Sequence, residues 1–263
     1  MNRLAGVFAV LALALSACAG EAAASTPPPQ PAVATPPAAP EATAQITDAL
    51  ESGPVDIPGA EGLTLRGTWT APTRAPAPAV LLLHMYGRSR SDWQALTTRL
   101  QSAGLAVLAI DLRGHGETGG TEDWDLARED VRCAYQWLDA RPEVDPNRVA
   151  TLGASLGANL SLWLGAQESG LAAILLLSPG FEYFRVRIEG LVEAYGVRPI
   201  FLAAAEDDPY SAETVRDLAA AAAGTADLIV YPEGGHGTDM LFTAPDLADR
   251  ILAFLNVYLA PQL

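Results

Sequence analysis

The chain has 263 residues, half of them hydrophobic, which is enough for one sizeable α/β domain or two small ones. Its 31 acidic and 16 basic residues give a formal net charge of −15 at pH 7, and every basic residue is an arginine. Proteins that bind nucleic acid neutralise phosphates with clustered positive charge, so this composition argues against nucleic acid as a partner.

The first 17 residues have the features of a bacterial secretion signal. Arg3 precedes an apolar run over residues 4–15, which is short for a membrane span. The run ends in Leu-Ser-Ala-Cys at 15–18, which resembles the lipobox of bacterial lipoproteins. The resemblance implies that residues 1–17 are removed and that Cys18 carries a lipid anchor. The alternative is an ordinary secretory signal that is cleaved near Ala17.

The implied location is the cell envelope. A lipid on Cys18 would hold the chain on a membrane, and the outer membrane facing the periplasm is favoured because residue 19 is alanine. An ordinary secretory signal would leave the protein periplasmic or secreted. Residues 18–46 are rich in Ala, Pro, Thr and Glu, a composition that predicts an extended tether. Residues 47–263 then form the globular domain, with Cys133 as its lone cysteine and therefore no intrachain disulfide.

Strands and helices alternate along the predicted domain. Residues 56–72 alternate loosely and include three glycines, which predicts an antiparallel hairpin at the edge of a sheet. Short apolar runs predict buried strands over residues 79–83, 105–110, 148–152, 172–177, 199–205 and 227–231. Helices are predicted over residues 92–103, 124–140, 158–166, 212–223 and 244–259. This alternation predicts a mostly parallel sheet with helices on both faces.

One predicted strand-to-helix turn carries the pentapeptide Gly153-Ala-Ser-Leu-Gly157. A serine between two glycines at such a turn is typical of a nucleophile elbow. The small residues allow strand and helix to approach closely, while a strained backbone holds the Oγ of Ser155 above the sheet. The backbone N–H of Leu156 then faces the reacting centre. We interpret Ser155 as a catalytic nucleophile, and the alternative is a plain glycine-rich turn.

Other loops with chemically active side chains follow the predicted strands, at the edge where ligands bind in such sheets. They carry His84-Met-Tyr, the acidic run 206–208, and His236. A serine hydroxyl needs a neutral imidazole to take its proton, and a carboxylate must orient that imidazole. His236 lies in a glycine-flanked loop after the last strand and is the best placed of the three histidines.

The chain order Ser, Asp, His is that of the α/β-hydrolase family. From about residue 55 onward the sequence resembles that family, and most of all its dienelactone-hydrolase-like branch. The resemblance lies in the elbow, in DLRGHG at 111–116 and in WLDARPEVDPNRV at 137–149. Dienelactone hydrolases themselves carry a cysteine nucleophile, whereas residue 155 is serine. The resemblance implies the α/β-hydrolase fold and a serine hydrolase that needs no cofactor.

The resemblance also implies further site residues. The acid of the triad falls at Asp208, because the family's acid commonly stands just before a proline, as it does here before Pro209. A tetrahedral intermediate needs two N–H donors for its oxyanion. Leu156 supplies one of these donors, and the resemblance places the other at Tyr86, with Met85 as the alternative.

A minimal cap and an apolar pocket are expected between the strands 172–177 and 199–205. The intervening residues 178–198 leave room for one helix at most. Phe181, Tyr183 and Phe184 from this segment are predicted to line a pocket for an acyl or alcohol group. No cluster has the spacing of metal ligands and no loop resembles a phosphate cradle, so neither a metal nor a cofactor is expected.

Several polar residues near these loops are interpreted as structural. His84, His115, Asp111 and Arg113 are expected to organise the loops at the strand ends. Glu206 and Asp207 are interpreted as solvated loop charges, with a capping role as the alternative. Asp239 is predicted to cap the last helix together with Thr238.

The sequence therefore predicts a lipid-anchored serine hydrolase. The favoured activity is hydrolysis of a small or medium carboxylic ester through an acyl-enzyme. A thioesterase, a peptidase or an acyltransferase would use the same triad. The alternative from another class is a non-catalytic envelope lipoprotein that binds an apolar ligand or a partner protein, and the intact Ser, Asp and His set argues against it.

Overall fold

A computed structural model describes residues 51–261 of the chain. The predicted signal peptide, Cys18 and the tether lie outside the described residues. The strands are β1 (Gly53–Pro58), β2 (Thr64–Thr70), β3 (Ala77–Leu83), β4 (Ala106–Ile110), β5 (Val144–Ala154), β6 (Leu171–Leu177), β7 (Glu182–Tyr183), β8 (Val186–Arg187), β9 (Ile200–Ala205) and β10 (Ala226–Tyr231). The α-helices are α1 (Gln94–Ser102), α2 (Trp124–Asp139), α3 (Leu156–Gln167), α4 (Leu191–Tyr195), α5 (Pro209–Ala221), α6 (Met240–Thr243) and α7 (Leu247–Tyr258).

Eight of the strands form one sheet in the order β1-β2-β4-β3-β5-β6-β9-β10. The hairpin β1-β2 lies at one edge and pairs antiparallel with β4, whereas the remaining neighbours β4, β3, β5, β6, β9 and β10 pair in parallel. The carboxyl ends of β3, β5, β9 and β10 therefore share one edge of the sheet. This sheet confirms the predicted α/β-hydrolase fold with its mostly parallel sheet.

Both faces of the sheet are covered by helices that pack on the apolar residues of its central strands. On β3, Val80 and Leu82 pack on the face that α1 and α7 cover. Leu81 and Leu83, which alternate with them, pack on the face covered by α2 and α3. Strands that are buried on both faces read as continuous apolar runs, and these are the runs that identified them in the sequence.

The segment between β6 and β9 differs from the sequence prediction. It contains one short helix, α4, as expected, but it also contains the two-residue strands β7 and β8, which pair as a hairpin. Strands of this length leave no alternating pattern in the sequence. The predicted minimal cap therefore consists of a hairpin and a helix.

The start of the last helix was also predicted wrongly. The predicted helix 244–259 is α7, which begins only at Leu247 and is preceded by the short helix α6. Pro245 separates the two helices because it has no N–H to continue the hydrogen bonding of α6.

The prediction that Asp239 and Thr238 cap the last helix was also wrong. Both side chains have partners elsewhere in the fold. Asp239 forms an ion pair with Arg88 at 2.9 Å, and the Thr238 hydroxyl donates to Asp92 at 2.8 Å. They therefore join the loop before α6 to the loop that follows β3.

Among the helices within residues 51–261, none is both long enough and apolar enough to cross a membrane.

Candidate active site

Ser155 lies in the sharp turn between β5 and α3. Its backbone has φ 53° and ψ −118°, a conformation that L-residues adopt only with strain. A Cβ on Gly153 would lie 2.0 Å from the carbonyl oxygen of Gly157, and one on Gly157 would lie 2.2 Å from that of Leu83. Only glycine fits at either position. The close approach that the pentapeptide predicted is therefore present.

The structure brings Ser155, His236 and Asp208 together in one chain of hydrogen bonds. The Nε2 of His236 lies 2.7 Å from the Oγ of Ser155, and its Nδ1 lies 2.6 Å from the Oδ2 of Asp208. An ionised carboxylate oxygen can only accept, so the imidazole carries its proton on Nδ1. Nε2 is then free to accept the serine proton, which is the arrangement that nucleophilic catalysis by serine requires.

Asp208 is held by the start of α5. Its backbone is non-helical, with φ −117° and ψ 76°, and Pro209 occupies the first helical position after it. The Oδ1 of Asp208 accepts from the N–H of Ser211 at 3.4 Å, while the other oxygen faces His236. One carboxylate therefore caps a helix and orients the imidazole at the same time. The proline that pointed to this residue in the sequence fixes the backbone that makes both contacts possible.

The loop that carries His236 is braced on both sides by residues whose role the sequence did not reveal. Asp207 accepts from the N–H groups of Gly234 and Gly235, with distances of 3.1 to 3.3 Å. On the other side of His236, the hydroxyl of buried Ser178 accepts from the N–H of Gly237 at 2.9 Å. Asp207 is exposed and also caps these backbone N–H groups, so the capping role named as its alternative is the one it takes.

Glu206, in contrast, has the role of a surface charge. Its carboxylate pairs with Arg216 of α5, and both side chains are about half exposed. The pair lies at the surface, where such ion pairs contribute little to stability. Glu206 therefore fits its interpretation as a solvated loop charge.

The two predicted oxyanion donors belong to segments that pack together. Leu156 is the first residue of α3, so its N–H has no acceptor within the helix. The carbonyl oxygen of His84, at the end of β3, would lie 2.7 Å from a Cβ on Gly157, which brings this loop against the start of α3. The loop continues into Met85, which is buried, and Tyr86, which is partly exposed.

The comparisons with known proteins agree with this fold. Residues 74–195 match the family described as serine aminopeptidase, S33. The chain is 30% identical over 218 residues to the uncharacterised protein Rv2307c of Mycobacterium tuberculosis, and the match covers 74% of this chain and 76% of that protein. The chain belongs to the α/β-hydrolases.

Solved structures of the same fold include two hydrolases. The esterase Pf2001 of Pyrococcus furiosus has a TM-score of 0.68 and 20% identity, and the match covers 80% of this chain and 91% of that one. Dienelactone hydrolase from Anabaena variabilis has a TM-score of 0.63 and 22% identity, with 79% and 96% covered. At these identities the likeness concerns the fold alone.

In this α/β-hydrolase, His84 is a structural residue, as expected. Its side chain is fully buried, and its Nε2 accepts from the N–H of Leu112 at 2.9 Å. The imidazole is therefore neutral, with its proton on Nδ1, which donates to the carbonyl of Met85 at 2.7 Å. Burial lowers the pKa of His84 from 6.5 to about 4. His84 thus ties the predicted oxyanion loop to the loop that follows β4.

This histidine is expected to make the fold sensitive to acid. Because the pKa of His84 is lower in the folded state, the unfolded chain binds the extra proton between about pH 6.5 and pH 4. Stability is complete above that range and falls within it, by on the order of 3 kcal/mol for this group. Urea titrations at several pH values should show a smaller fall for His84→Gln than for the parent. If the free energy of unfolding falls equally with pH in the two proteins, the expectation is contradicted.

The three aromatic residues predicted to line one pocket lie in two groups. Phe184 packs against Tyr86, with ring centroids 4.2 Å apart. Phe181 and Tyr183 pack instead against Tyr210 of α5, at 6.1 and 5.7 Å. The hydrolase therefore has aromatic surface on either side of the hairpin β7-β8. The partners on other elements were missed because nothing in the sequence connects them to this segment.

Tyr183 lies closest of these residues to the triad. Its ring is edge-on to that of His236, with centroids 6.0 Å apart, and its hydroxyl lies 3.2 Å from the Oγ of Ser211. Burial raises the pKa of Tyr183 to about 12, so the hydroxyl keeps its proton at neutral pH.

Among residues 51–261, no group of His, Cys, Asp and Glu side chains has the arrangement of a metal site.

Proposed function

We propose that this α/β-hydrolase is a serine hydrolase that cleaves carboxylic esters through an acyl-enzyme. The observation that carries the proposal is the continuous hydrogen-bond chain from Ser155 through His236 to Asp208, with distances of 2.7 and 2.6 Å. The strained backbone of Ser155 supports it, since strain of this kind is retained at functional sites.

The proposed reaction starts when the Oγ of Ser155 attacks the ester carbonyl. Its proton passes to the Nε2 of His236, and Asp208 stabilises the imidazolium that forms. The oxyanion accepts hydrogen bonds from the N–H groups of Leu156 and Tyr86. When the intermediate collapses, the imidazolium gives its proton to the leaving alcohol oxygen and the C–O bond breaks. Water, deprotonated by His236, then releases the acid from Ser155 by the same steps.

A fluorophosphonate probe tests this proposal directly, because it reacts with activated serines. The purified chain should be labelled at one residue, Ser155, and should hydrolyse p-nitrophenyl esters. A panel that adds matched thioesters and aminoacyl anilides shows whether the ester, thioester or amide bond is cleaved fastest. A folded chain that neither labels nor hydrolyses any member of the panel would favour the non-catalytic alternative.

We further propose that Cys18 carries a lipid that anchors the hydrolase in the cell envelope. The proposal rests on the lipobox-like sequence at 15–18, which lies outside the described residues. In cells fed an alkynyl fatty acid, the parent should incorporate the label and fractionate with membranes. Cys18→Ser should lose the label and remain unprocessed, whereas Cys133→Ser, which changes the cysteine of α2, should keep both properties. Equal labelling of the two variants would disprove the anchor.

A further inference from the structure

The turn between β7 and β8 has an unusual sequence for its shape. Pairing of Tyr183 with Val186 leaves a two-residue loop, Phe184-Arg185, and both residues have positive φ, at 50° and 70°. Hairpins of this type strongly prefer asparagine and glycine at these positions. A phenylalanine there is strained, and such strain persists only where the surrounding structure enforces it.

The surrounding structure does hold this hairpin firmly. The buried side chain of Asn159, on α3, donates to the carbonyls of Gly180 and Val186, both at 2.8 Å, and accepts from the N–H of Gly180 at 3.1 Å. Arg128 of α2 donates to the carbonyl of Arg185 at 3.1 Å. Because α3 begins directly after Ser155, the hairpin is fixed to the same helix as the proposed nucleophile.

The ring of Phe184 completes an aromatic cluster with Tyr86 and Trp124. Its centroid lies 4.2 Å from that of Tyr86 and 5.3 Å from that of Trp124, which are themselves 6.1 Å apart. The three rings thus form a triangle. Tyr86 and Phe184 each remain 43% exposed, so part of the ring surface is open to a ligand.

The chemistry of ester cleavage determines which part of a substrate reaches this cluster. The leaving oxygen must lie near the Nε2 of His236, which returns the proton to it, so the alcohol group lies on the His236 side. The ring that lies edge-on to His236 is that of Tyr183, which is outside the cluster. The cluster instead includes Tyr86, the proposed oxyanion donor. The acyl group, which extends away from His236, is the part that meets it.

We propose that the aromatic cluster of Tyr86, Trp124 and Phe184 binds the acyl group of the ester and selects an aryl acyl group. The inference rests on the proposed function. Aromatic rings gain affinity from stacked or edge-to-face contact with one another beyond simple burial, and an aliphatic chain lacks that contribution. The strained turn places Phe184 where its ring can make this contact.

The test compares acyl groups at a constant leaving group. The measured quantity is the ratio of kcat/KM for p-nitrophenyl phenylacetate to kcat/KM for p-nitrophenyl acetate. Phe184→Ala should lower this ratio by about tenfold. Phe184→Tyr should keep the parent ratio. Phe242→Ala, which removes an exposed phenylalanine of α6, should also keep it. In the reverse series, the ratio for benzyl acetate against ethyl acetate should be the same in all four proteins.

Two results would overturn the inference while leaving the proposed function intact. One is an unchanged acyl ratio in Phe184→Ala, and the other is a fall in the alcohol ratio instead. Labelling of Ser155 by the fluorophosphonate is measured on each protein, so a failure of the proposed function is visible separately as loss of labelling in the parent. Arylalkyl and alkyl boronic acids, which bond reversibly to a reactive serine, give the same comparison by binding alone.

A glycine variant separates a ligand role from a packing role. Phe184→Gly removes the ring and also the backbone strain, because glycine adopts positive φ readily. If the ring serves the substrate, this variant should unfold at the parent temperature or above it and should lose the aryl preference. If its melting temperature drops as after truncation of a core side chain, the ring serves packing and the inference is wrong.

Discussion

Replacing Ser155 with alanine is expected to abolish fluorophosphonate labelling and to lower ester turnover by about 10⁶-fold. The hydroxyl oxygen is the atom that attacks, and it is also the group that gives its proton to the Nε2 of His236. The melting temperature should hardly change. Alanine at φ 53° is strained in the same way as serine, so the substitution adds no backbone cost of its own.

The measurement compares kcat/KM, probe labelling and thermal unfolding for the parent and four variants. Ser102→Ala, which changes an exposed serine at the end of α1, serves as the matched control and should behave like the parent. His236→Ala should lose nearly as much activity as Ser155→Ala, and the double variant little more, because the members of a triad act as a unit. An alanine variant at 155 that hydrolyses esters at the parent rate would remove the nucleophile assignment.

Local sequence signals, together with the family resemblance, predicted the residues that the structure brings together. Glycine is required on both sides of Ser155, because a Cβ at either position would lie only 2.0 or 2.2 Å from a backbone oxygen. Pro209 marks the start of α5 and thereby the non-helical backbone of Asp208. In both cases a steric restriction determines the residue type at one or two positions, and the sequence therefore indicates the local backbone.

The supporting contacts could not be predicted, because each joins a side chain to backbone groups far along the chain. Ser178 binds the N–H of Gly237 across 59 positions, and Asp207 binds those of Gly234 and Gly235 across 27 and 28. Serine and aspartate are common in loops, so their presence carries no signal of a distant partner. The hairpin β7-β8 was missed for the same reason, since its stability depends on Asn159 of another element.

The contact of Asp207 with the His236 loop changes what is expected of the acidic run. Asp208 contacts the imidazole itself at 2.6 Å, whereas Asp207 contacts only the glycine N–H groups that precede it. Asparagine at 207 keeps one acceptor but turns the other into an NH2 group that faces the same glycine N–H groups, so it should loosen the loop without changing the proton on the histidine. A loss of roughly ten- to a hundredfold in turnover is expected for Asp207→Asn, as for a small displacement of a catalytic group.

Asp208→Asn is expected to lose far more, on the order of 10⁴ in turnover. The amide of asparagine can donate to the Nδ1 of His236, which moves the imidazole proton to Nε2, the atom that must accept from Ser155. The helix cap remains, because an amide oxygen can still accept from the N–H of Ser211. The fold should therefore survive while the base is held in the wrong tautomer.

Glu206→Gln completes the series as the control, because its carboxylate pairs with Arg216 at the surface and touches neither the imidazole nor its loop. Measured side by side at one pH, turnover should fall in the order Glu206→Gln, Asp207→Asn and Asp208→Asn, with melting temperatures close to the parent. A larger loss at Asp207 than at Asp208 would move the orienting role by one residue. In that case Asp208 would serve only as the cap of α5, and the 2.6 Å contact would have no part in catalysis.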